Sequence, residues 1–335
     1  MSSIGTRSAP GSGNGAGRPL TIGLVNNMSG ARAATERQFR QLLFAAGVEH
    51  DLHLRCFCAG TAPIPAGYAD LTDLLEGEAD GIIVTGAEPQ SRDLRDEPLW
   101  HTMVRLVDWA EAHGTPALWS CLAAHAAVRY LDGIDRKPFP EKLSGVFPGV
   151  TARVDHPLMQ GTKPPWLMPH SRRNDLPESD LESAGYSILL KAEEAGVEVF
   201  AKVGRAPFVF FQGHPEYDSD TLLREFQRDV RRYQRGECPT APPLPRHYLS
   251  PAATIHAAAL RDLPLAAENQ REEAAAALTE WGKALGPAPW LPTSLAFYRN
   301  WLIDVALWKE GGMAAGRKQH GMMTHQPLLE LGLTP

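Results

Sequence analysis

The chain has 335 residues, enough to bury a large core as one α/β domain with additions or as two domains. Its 39 acidic against 33 basic residues give a formal charge of −6, and no basic run stands out, which argues against nucleic acid as a partner. No apolar stretch approaches the roughly 20 residues needed to span a bilayer, and the amino terminus has no apolar segment of signal-peptide type, so a cytoplasmic protein with no membrane partner is expected.

Residues 1–18 are mostly Gly, Ser, Ala and Pro, a composition that predicts a disordered tail. Leu20 to Val25 then reads as a first strand, and the spacing through Thr35–Leu43 as an amphipathic helix. Leu52 to Cys58 alternates like a second strand. Cys56 and Cys58 lack the two-residue gap of a zinc or redox pair, and the four cysteines are too few and too irregular for a disulfide scaffold. Gly81 to Val84 is a uniformly apolar third strand that ends in Thr85-Gly86-Ala87, a small-residue turn where backbone can approach a ligand. A helical pattern covers Leu99 to Ala112.

Next, Thr115 to Ser120 forms a short apolar strand running into an alanine-rich helix, with Cys121 at the junction. Such a strand-to-helix turn holds a thiol out over the sheet, where the helix N-terminus favours thiolate. An inert core cysteine is the alternative reading. Residues 137–206 are less regular, with short strands expected at Ser187 to Leu190 and Val197 to Val203. Phe208 to Phe211 is a fully apolar run, as in a strand covered on both faces, and leads into Gln212-Gly213-His214-Pro215-Glu216-Tyr217-Asp218. In extended chain His214 and Glu216 share a side, and a carboxylate can orient an imidazole base.

Asp218 or Ser219 is then expected to cap a helix with Leu222, Phe226 and Val230 on its apolar stripe. Residues 239–251 are proline-rich, 252–285 read as helical, and a final helix surrounds Trp301 to Val305. The alternation of strands and helices predicts a doubly wound, mainly parallel α/β sheet with a nucleophile elbow and extra C-terminal helices. The expected division is a tail at 1–18, a catalytic domain at 19–240, a helical extension at 241–310 packed on that domain, and a loosely ordered tail at 311–335.

Cys121 together with His214 to Asp218 resembles the homoserine O-succinyltransferase family, which has a class I glutamine-amidotransferase-like fold. Thr85-Gly86-Ala87, Glu141 to Val146, Pro169-His170-Ser171-Arg172 and Thr221-Leu222 with Glu225-Phe226 and Arg228-Asp229 match that family's motifs in order. The resemblance implies a Cys121, His214, Glu216 triad. Cys121 would take an acyl group from an acyl-CoA as a covalent thioester, and His214 would activate the hydroxyl of L-homoserine for the second step. It also implies oxyanion donors in the Leu122 amide and backbone at Gly86, and substrate contacts from Lys142, Ser171 and Arg228. No bound cofactor or metal is implied, and a homodimer is an open option.

Several positions depart from the family pattern. Leu122 stands where the family usually has tryptophan and His125 where it has glutamine, so the acyl or CoA pocket is expected to differ in shape. Gln90 occupies the position that separates acyl donors, glycine leaving room for succinyl and glutamate favouring acetyl. Glutamine has glutamate's bulk without its charge, and the reading favours succinyl-CoA over acetyl-CoA. Nearby Arg92 and Arg95 could attract the succinyl carboxylate, although helix-surface charge is the favoured reading of both. Serine as acceptor, or an amidotransferase-type hydrolase, are the competing functions.

Overall fold

The computed structural model describes residues 19–59 and 63–315. The tail expected at 1–18 and residues 316–335 lie outside them. In chain order come β1 (Leu20–Val25), α1 (Arg32–Ala46), β2 (Leu52–Cys58), β3 (Tyr68–Asp70), α2 (Leu71–Leu75), β4 (Gly81–Val84), α3 (Trp100–His113), β5 (Ala117–Ser120) and α4 (Leu122–Asp132). There follow β6 (Lys137–Ala152), β7 (Trp166–Asp175), α5 (Glu178–Ser183), β8 (Ser187–Ala192), β9 (Gly196–Val203), β10 (Pro207–Phe211), α6 (Thr221–Gln234), α7 (Pro251–Asp262), α8 (Glu268–Lys283) and α9 (Leu291–Ala315).

Among the described residues one ten-stranded sheet runs in the order β3-β2-β1-β4-β5-β10-β9-β8-β6-β7. From β3 to β10 every neighbour is parallel. From β10 onward every pairing is antiparallel. The central parallel strands β4 and β10 are apolar throughout because both faces are covered. Side chains alternate between two cores: Val84, Trp119, Phe208 and Phe210 pack under α3 and α4, while Leu24, Ile83, Leu118, Val209 and Phe211 pack under α1 and α9. This two-sided burial is the doubly wound arrangement expected from the sequence.

The less regular stretch before β8 contains two strands with no clear alternation. Pro138, Pro140, Gly145 and Pro148 interrupt the pattern of β6, and its pairing with β7 shifts register between Pro138 and Leu143. The outermost position of β7 lets it carry Pro169, since an edge strand tolerates a missing donor. Neither Asp218 nor Ser219 caps α6. Asp220 is at that position without a side-chain cap bond, and the Asp218 carboxylate turns to Arg37 and Gln38 instead. The helical segment expected at 252–285 is a pair, α7 and α8, broken at 263–267. With α6 they enclose Leu223, Phe226, Val230, Ala257 and Leu278. Residues 311–315, placed in the expected loose tail, continue α9.

Three neighbouring parallel strands, β4, β5 and β10, end at the same edge. Their continuations are Thr85-Gly86, Cys121 and Gln212-Gly213-His214. In an open α/β sheet this edge is where ligands gather.

Candidate functional site

Cys121 is the hinge between β5 and α4, with φ 53° and ψ −114°, outside the regions that L-residues ordinarily occupy. Its amide donates to the Phe211 carbonyl at 2.7 Å, and its carbonyl accepts from the His125 amide at 3.1 Å, so both sides of the strained residue are pinned. The turn after β4 comes very close. A Cβ on Gly86 would lie 2.8 Å from the Leu122 amide nitrogen and 3.1 Å from the Ser120 carbonyl, an approach open only to glycine.

The histidine reaches the cysteine by a different route from the one extended chain would give. β10 stops at Phe211, and Gly213 crosses β7 so closely that a Cβ would lie 2.4 Å from Met168 Cγ. The His214 amide donates to the Pro169 carbonyl at 2.8 Å, and the chain turns through Pro215-Glu216. Within that turn His214 Nδ1 meets Glu216 Oε1 at 2.9 Å. His214 and Cys121 line the same cavity, and the charge of Cys121 acts on the imidazole. Burial works against a charged imidazole here, but the charges of Glu216 and Cys121 outweigh it and hold the His214 pKa well above its ordinary value. The Tyr217 ring stacks on the imidazole with centroids 4.3 Å apart, while its hydroxyl donates to Glu225 at 2.9 Å.

A cavity of about 470 Å³ opens above this group. Cys121, His214, Glu216, Gly86, Leu122, Lys142, Ser171 and Arg228 all line it, so eight of the nine site residues expected from sequence come together. Lys142 Nζ lies 2.7 Å from Asp229 and 4.0 Å from Glu225, nearly buried. Arg228 is half-buried and pairs with Asp229 at 2.8 Å. Ser171, on β7 opposite Ser144, is also half-buried.

Gln90 is the exception. Its side chain is exposed and does not line the cavity, and its amide is held by Glu97 at 3.0 Å. Arg95 is exposed and engaged with Asp93 at 2.6 Å, and Arg92 is exposed as well.

Sequence reading missed a polar network behind the cysteine. His125, buried on α4, shares a 2.9 Å hydrogen bond with Gln212 Oε1. Burial first, and then the charges of Arg172 and Arg136, push its pKa down to about 3 against the effect of the Gln212 bond, so the ring is neutral. Arg172 is buried too, and its donors are spread over His170, Asn174, Asp175, Gln212 and Ala195. His170 Nε2 in turn meets buried Glu198 at 3.1 Å, and burial raises the Glu198 pKa well above the usual carboxylate range. Gln212 alone offered a local signal, being a lone polar residue between an apolar strand and a glycine; the others meet only through pairing of distant strands.

Among the described residues no group of three or more His, Cys, Asp or Glu side chains could hold a metal ion. None of their helices is long and apolar enough to cross a membrane.

A doubly wound sheet with a strained cysteine at a strand-to-helix turn, facing a histidine–carboxylate pair, defines an α/β protein of the nucleophile-elbow class. The sequence pattern of the homoserine O-succinyltransferase family matches residues 8–306. A homoserine O-succinyltransferase from Rhodopseudomonas palustris is 46% identical over 302 residues, which is 87% of this chain and 90% of the relative. One from Methylorubrum extorquens is 42% identical over 299 residues, covering 86% and 88% of the two chains. The chain belongs to the homoserine O-succinyltransferase family. Among solved structures, a glutamine amidotransferase from Methylobacillus flagellatus is similar at 16% identity with a TM-score of 0.49, covering 92% of this chain and 99% of that one.

Proposed function

We propose that this protein transfers the succinyl group of succinyl-CoA to the hydroxyl of L-homoserine through a Cys121 acyl-enzyme, serving methionine biosynthesis as its family does. The observation that carries the reading is Cys121 at a strained elbow, sharing one cavity with a His214 whose Nδ1 is held by Glu216.

In the first half-reaction the Cys121 thiolate adds to the thioester carbonyl. His214, its positive charge stabilised by Glu216, gives its proton to the departing CoA sulfur, leaving a Cys121 thioester. In the second, the now neutral His214 removes the proton of the homoserine hydroxyl. That oxygen adds to the acyl carbonyl, and the Cys121 thiolate leaves beside the recharged imidazolium. The negative oxygen formed in each addition would lie against the Leu122 amide and the backbone at Gly86, whose close approach supports that role.

Arg228 would take the α-carboxylate of homoserine. Lys142 and Ser171 would complete its binding, with Asp229 orienting both cations from between them. Tyr217 fixes the plane of the imidazole by stacking and by its bond to Glu225.

Intact mass spectrometry tests the reading. Succinyl-CoA should add one succinyl group to the native protein, homoserine should discharge it, and Cys121→Ala should show no adduct. His214→Ala should slow acylation by about 10²- to 10⁴-fold. A Cys121→Ala protein with near-native turnover would rule the assignment out.

A further inference from the structure

The cationic side chains that line the cavity differ in how far their donors are used. Lys142 is given to Asp229, Arg228 to Asp229, and Arg232 to Glu88. Arg172 is spread over a full set of acceptors. Arg136 is different. Its side chain is only 4% exposed, and Nη2 alone is engaged, with the Ser91 carbonyl at 2.5 Å, the Arg92 carbonyl at 3.3 Å and Glu97 at 3.1 Å. Nε and both hydrogens of Nη1 have no acceptor among the described residues, although these atoms are buried. A buried guanidinium with three unanswered N–H groups is costly, and the usual answer is an anion.

Arg136 lines the same cavity as Cys121, and its charge is felt by His125. His125 is four residues beyond Cys121 on α4, a little over one helical turn or roughly 6 Å along the axis. A four-carbon acyl chain anchored at the Cys121 sulfur covers a similar distance.

We propose that Arg136 binds the distal carboxylate of the acyl donor and thereby selects succinyl over acetyl. The inference rests on the acyl-transfer reading above and deepens it. A succinyl group supplies the acceptors that Nη1 and Nε lack. An acetyl group covers the cavity and leaves them unanswered, which is how a site built for a polar group rejects an analogue without one. Glu97 holds the guanidinium in place. The same carboxylate accepts from the amides of Gln90 and Ser91, at 3.0 and 3.1 Å, so the backbone at Gln90 is one shared partner away from Arg136. A residue at 90 can therefore bear on donor choice without entering the cavity.

The test compares acylation of Cys121 by succinyl-CoA with acylation by the CoA thioester of succinamic acid, in which an amide of the same size replaces the carboxylate. Native protein should prefer succinyl by roughly 10- to 100-fold in kcat/KM. Arg136→Met should bring that ratio close to one, and Arg136→Lys should restore part of it. A folded Arg136→Met protein that keeps the native ratio overturns the assignment. Should the methionine variant not fold, a native ratio near one, or an undiminished preference for succinyl without any change in Arg136→Lys, overturns it instead. Native protein that forms no adduct with either thioester overturns the acyl-transfer reading itself, which separates the two failures.

Discussion

Cys121 lies where an L-residue is strained by its own Cβ, at φ 53°. A conformation of that kind costs about 1–3 kcal/mol, and glycine escapes most of the cost. Cys121→Gly is therefore expected to be more stable than Cys121→Ala by about 1 kcal/mol in chemical unfolding, with neither variant forming an adduct. Gly86 makes the opposite case. Any side chain there meets the backbone of Ser120 and Leu122, so Gly86→Ala should lower kcat by about 10²- to 10³-fold as the proposed oxyanion donors are displaced. His125 provides a pH signature. Its folded pKa is pushed below the unfolded value to about 3, so the folded protein binds fewer protons than the unfolded chain between roughly pH 6.5 and that value. Its contribution to stability is present above pH 6.5 and is lost as pH falls. His125→Gln removes the titration, and the stability of the variant relative to native protein should rise steadily on acidification through this window, read from urea unfolding at several pH values. Acylation by succinyl-CoA should persist in the folded variant, because a glutamine can still bond Gln212.

At the level of elements, α6 carries Arg228 into the cavity on one face and buries Leu223, Phe226 and Val230 against α7 and α8 on the other. The helical pair thus braces the proposed amino-acid site from behind. Leu278 is fully buried at that contact. Leu278→Ala is expected to cost about 2–5 kcal/mol and to raise the KM for homoserine more than that for succinyl-CoA, as measured by thermal unfolding and initial rates. Legibility in the sequence also varies by element. β1, β4, β5 and β10 are legible because burial on both faces demands unbroken apolar runs. β6 and β7 are not, since their pairing partners supply what local propensity withholds. The cap of α6 differs from the sequence expectation for a related reason: Asp218 has a better partner in Arg37, distant in sequence, than in the helix next to it.

Across the whole molecule, the residues proposed to contact donor and acceptor line one cavity at the edge of one sheet. A single site used twice requires CoA to leave before homoserine reacts. Initial-rate plots at several fixed homoserine concentrations should accordingly be parallel, and free CoA should appear stoichiometrically with the adduct when homoserine is withheld. Intersecting lines would require both substrates to be bound together.

The amino-acid sequence by itself determined the class of fold, the elbow at Cys121, and the pairing of His214 with Glu216. Each depends on residues close in the chain: an apolar strand, the small residues after it, and a carboxylate two positions from an imidazole. Only the tertiary structure decided which distant charges face that elbow. Arg136 is held by Glu97 and two loop carbonyls, His125 is kept neutral by burial and by the charge of Arg172, and Gln90 is turned out to solvent. The physical reason is that a side chain's charge and spare donors depend on burial and on partners tens of residues away. No local pattern of residue types records those partners.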